Sequence, residues 1–199
     1  MTRYSRLAAF ITSRGVTVVP KETSRLMRFL AVFLGAGFME NYATTIGSTI
    51  YVPKKLVGDF GVLAHEFVHA HAARAEGNFS FSFKYLFPQV LTPLALLAFL
   101  SLVWFPLIGF ALFLVCAVPL PAPWRLRYEL NAYRMSLLAQ YLEYGRPLAD
   151  GWVLRQFYGQ TYYYGSFDIQ KDYNELLKDI LEGRPLGQPY DMILAVLKD

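Results

Sequence analysis

Cysteine is nearly missing from this chain of 199 residues, where Cys116 stands alone. A single cysteine excludes an intrachain disulfide and excludes a structural zinc cage built from thiolates. A chain without disulfides suits a reducing compartment but does not require one. Charge is scarce too. Charged residues make up 17% of the chain and apolar ones 55%, against about 25% charged in ordinary soluble domains. Either the interior is large or part of the chain lies in lipid. Between Tyr85 and Trp124 there is no charged residue at all. The net charge of +4 is small and scattered, with pairs such as Lys54-Lys55 but no Lys/Arg-rich run. That excludes a nucleic-acid partner as an expectation and fits an anionic membrane surface better. Internal repeats and low-complexity linkers are also missing. The apolar run Leu7 to Ile11 is too short for the core of a signal peptide, so no export is expected. Among Arg3, Arg6 and Arg14 it reads as a short amphipathic helix.

What is present divides into a few elements, and the length fits one domain or one domain with an appended element. Val16 to Val19 is a β-branched run closed by Pro20, a strand signal. Thr23 or Ser24 caps a helix through Leu26, Phe29, Leu30 and Phe33 to the glycines at 35 and 37. Thr49, Ile50, Tyr51 and Val52 form a second strand, and Pro53 after it suggests an edge position. Asp59 is a good N-cap for a helix from Phe60 to about Glu76, stopped by Gly77-Asn78. Arg125 to Tyr144 reads as a long helix with Leu126, Leu130, Tyr133, Leu137 and Tyr141 on one face. A mixed aromatic segment, a helix around Asp168 to Leu181 and a short terminal helix follow. The expected fold class is α+β, mostly helical, with a small sheet.

The chemistry concentrates in residues 65 to 69, His-Glu-Phe-Val-His. On a helix, positions four apart lie about 40° apart around the axis and about 6 Å along it, so both imidazoles reach one ion. Glu66 lies on a neighbouring bearing, close enough to take a proton from a metal-activated water without being a ligand. The helix is otherwise apolar, with Phe60, Val62, Leu63, Ala64, Phe67, Val68 and Ala70 around the motif. Burying two histidines and a glutamate there without partners would cost several kcal/mol. A polar surface face would carry the same letters, but the apolar surroundings disfavour it. His71 lies about 200° around the helix from His69 and cannot share its metal.

A catalytic zinc takes three protein ligands and keeps one position open. A longer motif with a third histidine at position 75 is excluded, because Ala75 stands there. A carboxylate from a second helix is the remaining common solution, and Glu129, Glu143, Asp150 and Asp168 are the downstream candidates. Glu129 borders the apolar stripe of its helix, beside a strip of small residues, Ala132, Ser136 and Ala139, that admits a close helix neighbour. Glu143 lies on nearly the same bearing but about 21 Å further along.

His65-Glu66-Phe67-Val68-His69 followed by Glu129-Leu130-Asn131-Ala132 resembles the gluzincin pattern, HExxH plus a Glu-x-x-Ala helix. With the long uncharged stretch between them, the chain resembles membrane gluzincins of the heat-shock-protein-X and CAAX-prenyl-endopeptidase group, and the minigluzincins. The resemblance implies a minimal zincin-like core: a small sheet, the HExxH helix and the glutamate helix. It implies one Zn²⁺ per chain held by His65, His69 and Glu129, with Glu66 as general base and a peptide or protein as substrate. It covers about residues 49 to 144. One departure is Tyr133, where the family has an aspartate that orients a zinc histidine.

Three further expectations attach to this reading. Tyr133, Arg127 and Tyr163, the last within the cluster Tyr162 to Tyr164, are candidates to support the ligands or a tetrahedral oxyanion. Strand Thr49 to Val52 is a candidate to pair with an extended substrate. Leu86 to Leu120 is apolar apart from Gln89, Thr92 and Ser101, too long for one comfortable span and slightly short for two, with Pro106 placed to break it into a hairpin. If Glu129 shares a metal with His69, both ends of that segment emerge on one side, which excludes a single span. Residues 1–85 then carry the HExxH helix, 86–120 the inserted hydrophobic hairpin, and 121–199 the glutamate helix and a C-terminal helical region. Lys84, Arg125 and Arg127 flank the hairpin, so a membrane is the expected partner, with the site on its cytoplasmic face. The expectation is a membrane-associated zinc endopeptidase. The competing one is a structural or membrane-penetrating component, as of a virion or secretion machine, that keeps the zinc site with little turnover.

Overall fold

Thr2 accepts a hydrogen bond from the Ser5 amide and so caps helix α1, Arg3–Ser13, whose Leu7 and Ile11 are wholly buried. The computed structural model describes residues 1–35, 37–87, 122–144, 174–175, 178–179 and 181–198. Strand β1, Thr17–Pro20, follows. Ser24 caps α2, Arg25–Leu34, which ends at Gly35 with φ 86°. Then come α3, Gly37–Asn41, the strands β2, Thr44–Ile46, and β3, Thr49–Val52, and the long helix α4, Phe60–Glu76. Helices α5, Asn78–Leu86, α6, Pro123–Tyr144, and α7, Tyr190–Lys198, complete the described elements. The protein is mostly helical with one small mixed sheet, as its composition and periodicity predict.

The sheet has the order β1-β3-β2. β1 runs parallel to β3, with Thr17 opposite Thr49, and β2 runs antiparallel to it, with Ile46 opposite Thr49. This corrects the expectation that Thr49 to Val52 is an edge strand. It is central, and Pro53 lies just after it. The neighbour that covers it is β2, joined by the two-residue turn Gly47-Ser48, with Gly47 at φ 58°. A glycine at the first central position and a serine at the second suits a II′ hairpin.

One core gathers both ends of the chain. Leu7 and Ile11 of α1, Ile50 and Val52 of β3, Leu63, Phe67 and Ala70 of α4, Met135 and Leu138 of α6, and Ile193 and Leu197 of α7 form a single buried cluster. Each Leu, Ile or Phe so buried contributes about 1.5–3 kcal/mol. Helix α4 lies against α6 through small residues. A Cβ added to Gly61 would stand 3.7 Å from the Ala139 Cβ, and Ala132, Ser136 and Ala139 are buried along the same seam. The ends of the uncharged run meet: the Phe87 and Trp124 ring centroids are 5.2 Å apart, and those of Phe81 and Tyr128 4.7 Å. The expected hairpin, residues 86–120, lies outside the described residues except at its first two positions. Among the described residues no helix is long and apolar enough to cross a membrane.

Candidate metal centre

Helix α4 begins where Asp59 accepts a hydrogen bond from the Val62 amide at 3.0 Å, and this cap sets the bearing of every residue after it. One turn on, His65 and His69 project toward α6, their ring centroids 5.1 Å apart. Glu129 of α6 meets them: its Oε2 is 3.7 Å from His65 Nε2 and its Oε1 is 3.9 Å from His69 Nε2. One ligand atom from each of the three lies within 4.8 Å of the other two. Bonds of about 2.0–2.1 Å to a tetrahedral ion put ligand atoms roughly 3.4 Å apart, so the two Glu129 contacts need to close by only some tenths of an ångström, while a pair at the full 4.8 Å spacing needs a side-chain shift of about 1.4 Å. The two Glu129 contacts exceed hydrogen-bond length. His69 Nδ1 is buried with no hydrogen-bond partner. The nitrogen that faces Glu129 is Nε2, and it is the spacing of the two Nε2 atoms from the carboxylate, too long for hydrogen bonds, that fits a cation between them.

The surroundings prepare these groups. Burial lowers the pKa of both histidines, so each is neutral near pH 7 and offers a lone pair. Ser136 Oγ lies 3.1 Å from His65 Nδ1. With Ser136 as acceptor, Nδ1 carries the proton and Nε2 is free toward Glu129. Burial pulls the Glu129 carboxyl up. His69, His65, the Tyr85 hydroxyl and Arg125 together outweigh it and hold the group below its ordinary value. The Tyr85 hydroxyl donates a short hydrogen bond to Glu129 Oε1, and the Arg125 guanidinium stands 4.8 Å from the Tyr85 ring centre.

Glu66 faces the sheet. Its Oε2 accepts a hydrogen bond from Thr45 Oγ1 of β2 at 2.6 Å. Burial raises its pKa, opposed by His65 and by the Thr45 bond, so the group is a stronger base than an exposed carboxylate. Behind β2 lies Lys21, wholly buried, whose Nζ donates to Phe38 O and Tyr42 O, each at 2.7 Å, and to Thr44 Oγ1 at 2.8 Å. Its ammonium also sits 3.5 Å from the Phe38 ring centre. Burial lowers its pKa to about 8.

The structure therefore gathers His65, Glu66, His69 and Glu129 at one place. Glu143 is exposed, and Asp150, Tyr163 and Asp168 lie outside the described residues. Tyr133 packs edge-on against His65 at 4.8 Å between ring centroids, while Ser136 makes the polar contact to that histidine. Arg127 is exposed, and Arg125 is the arginine beside the cluster. His71 is half-buried and packs against Phe67, away from the ligands. Three neighbours were not read as part of the site. Ser136 could have been found, since seven residues after Glu129 it returns to nearly the same bearing. Thr45 and Tyr85 carry no such signal, because each arrives from a separate element. No protein-family model, curated protein or solved structure matches the chain.

Proposed function

We propose that this chain is a zinc-dependent peptidase in which His65, His69 and Glu129 hold the metal and Glu66 is the general base. The carrying observation is the convergence of two helix-borne imidazoles and a carboxylate from a second helix, beside a buried glutamate oriented by a hydroxyl. The HExxH and Glu-x-x-Ala spacing that resembles gluzincins supports the same assignment. A zinc ion bound there would lower the pKa of its water toward ~7 and polarise a carbonyl. Thr45 engages Glu66 Oε2, which leaves the other carboxylate oxygen to accept a proton and pass it to the leaving amine. Ser136 keeps His65 in the ligating tautomer, and His69, His65, Tyr85 and Arg125 together hold Glu129 ionised. Because β3 is central, the sheet edge near Glu66 among the described residues belongs to β2, Thr44–Ile46. An extended peptide added there would run past Thr45 and the base.

Elemental analysis should find about one zinc per chain, lost in His65→Ala, His69→Ala and Glu129→Ala and retained in Glu143→Ala. In Glu66→Gln the zinc should stay while hydrolysis of a peptide library falls by roughly 10² to 10⁴. A zinc-free wild type, or Glu66→Gln with wild-type turnover, overturns the proposal. One observation favours a second reading, a structural or membrane-penetrating component with little turnover: the Tyr85 hydroxyl engages Glu129 Oε1, an oxygen the metal would share. Wild type as inert as Glu66→Gln, with zinc bound in both, selects that reading.

A further inference from the structure

Helix α2 turns an apolar face outward. Met27 is wholly buried, while Leu26, Phe29, Val32 and Leu34 are 45%, 61%, 77% and 61% exposed. At 100° per residue, Leu26, Phe29 and Val32 fall within about 120° of one another around the axis. Arg25 lies within that sector and Arg28 borders it, and both are exposed. Among the described elements the helix packs on α3 and on the Lys21–Thr23 turn. Isolated exposed apolar residues are ordinary, but three on one helix face with a fourth at its end mark an interaction surface.

Charge selects the partner. The first turn of α2 holds no acidic residue, and none occurs between Glu22 and Glu40. Arg25 and Arg28 thus sit near the positive end of the helix dipole, where cations are disfavoured and anions favoured. Neither has an ion-pair partner among the described residues. Two cations held against the dipole and beside a bulky apolar sector are complementary to phosphate headgroups above acyl chains, with the arginine stems lying along the apolar boundary. A protein partner's hydrophobic patch would meet the aliphatic and aromatic groups but leave the two guanidiniums unpaired.

We infer that α2 is an interfacial helix, whose Leu26-Phe29-Val32 face, flanked by Arg25 and Arg28, docks on the surface of a bilayer containing anionic lipids. This surface is separate from the metal centre, and its test does not depend on turnover. In the full chain with Cys116→Ser, an environment-sensitive fluorophore on Val32→Cys reads the face directly, and Phe29→Cys serves as a second reporter. Vesicles of phosphatidylcholine mixed with phosphatidylserine should shift the emission to the blue and raise its intensity, and spin-labelled lipid should quench it. Vesicles of phosphatidylcholine alone should give a smaller response. Adding Arg25→Glu and Arg28→Glu should abolish the response with helix content by circular dichroism unchanged. The inference fails if both labels stay in water when vesicles are present, whether or not the chain sediments with them. It fails if the arginine variant responds like its parent. It also fails if the emission shifts without lipid as protein concentration rises, since the occupant is then a second copy of this chain.

Discussion

Glu66 shows how one position depends on residues far from it in sequence. Its carboxylate is oriented by Thr45 at 2.6 Å, and the segment from α3 into β2 that leads to Thr45 is tied to Lys21 by three hydrogen bonds. A hydrogen bond to a charged group contributes about 1.5–3 kcal/mol. Under the peptidase proposal, Thr45→Val should lower kcat roughly 10- to 100-fold and leave KM and zinc content near wild type, and Thr45→Ser should restore most of it. Full activity in Thr45→Val would show that Glu66 is held by its own helix alone. Lys21 carries a pH signature. Its pKa is about 8 in the folded chain against 10.5, so between those values the unfolded chain binds more protons and stability rises with pH. Below pH 8 both states are charged and the burial cost is at its full value. Lys21→Met leaves Phe38 O, Tyr42 O and Thr44 Oγ1 without their donor, at about 1–3 kcal/mol. Denaturant unfolding at pH 7 and pH 9.5 should show the wild-type advantage growing with pH, and a constant difference would mean that Lys21 is not held at a lowered pKa.

At the scale of elements, the residues that were legible are those governed by local rules. Asp59 and Gly77 bound α4 in the structure as their chemistry predicts, and the four-residue spacing puts His65 and His69 on one face. Strand β2 was not legible from alternation. Thr44, Thr45 and Ile46 are too few and too polar to show it, and the turn pair Gly47-Ser48 was the available signal. Pro53 made β3 look like an edge, and without β2 nothing in the sequence spoke against it. The meeting of α4 with α6 was legible through Ala132, Ser136 and Ala139, because small side chains are what let two helix axes approach. That contact can be tested. Ala132 is wholly buried and lies three residues after Glu129. Ala132→Leu should overpack the seam at about 1–3 kcal/mol and move Glu129 off the imidazoles, since metal ligands tolerate only about ±0.2 Å. Under the peptidase proposal zinc affinity should fall at least tenfold, while Tyr190→Phe, which removes a bond to Asn131 O on the same helix, should leave it unchanged. Equal affinity in Ala132→Leu would mean that α6 does not position the third ligand.

Closure of the whole molecule was the least legible level. No local pattern says that Ile193 and Leu197 pack with Leu7 and Ile11, because nearly the whole chain separates them. The meeting of the two ends of the uncharged run could be argued beforehand, since His69 and Glu129 can share an ion only if residues 86 and 120 return to one side. The structure brings Phe87 and Trp124 together, and Phe81 and Tyr128 below them, so α5 and α6 stand side by side at the two ends of the run. If that run enters lipid, it must therefore turn back or cross an even number of times. In a Cys116→Ser chain reconstituted into sealed vesicles, Phe79→Cys reports α5 from an 86% exposed site and Arg127→Cys reports α6 from another exposed position. An impermeant maleimide should label both to the same extent before the vesicles are opened, whichever way the chain inserts. Basic residues Lys84, Arg125 and Arg127 beside the mouth favour insertion with that end on the cytoplasmic side. Labelling of one position before opening and of the other only afterwards would require an odd number of crossings, which would pull α5 from α6 and dismantle the His69–Glu129 pair.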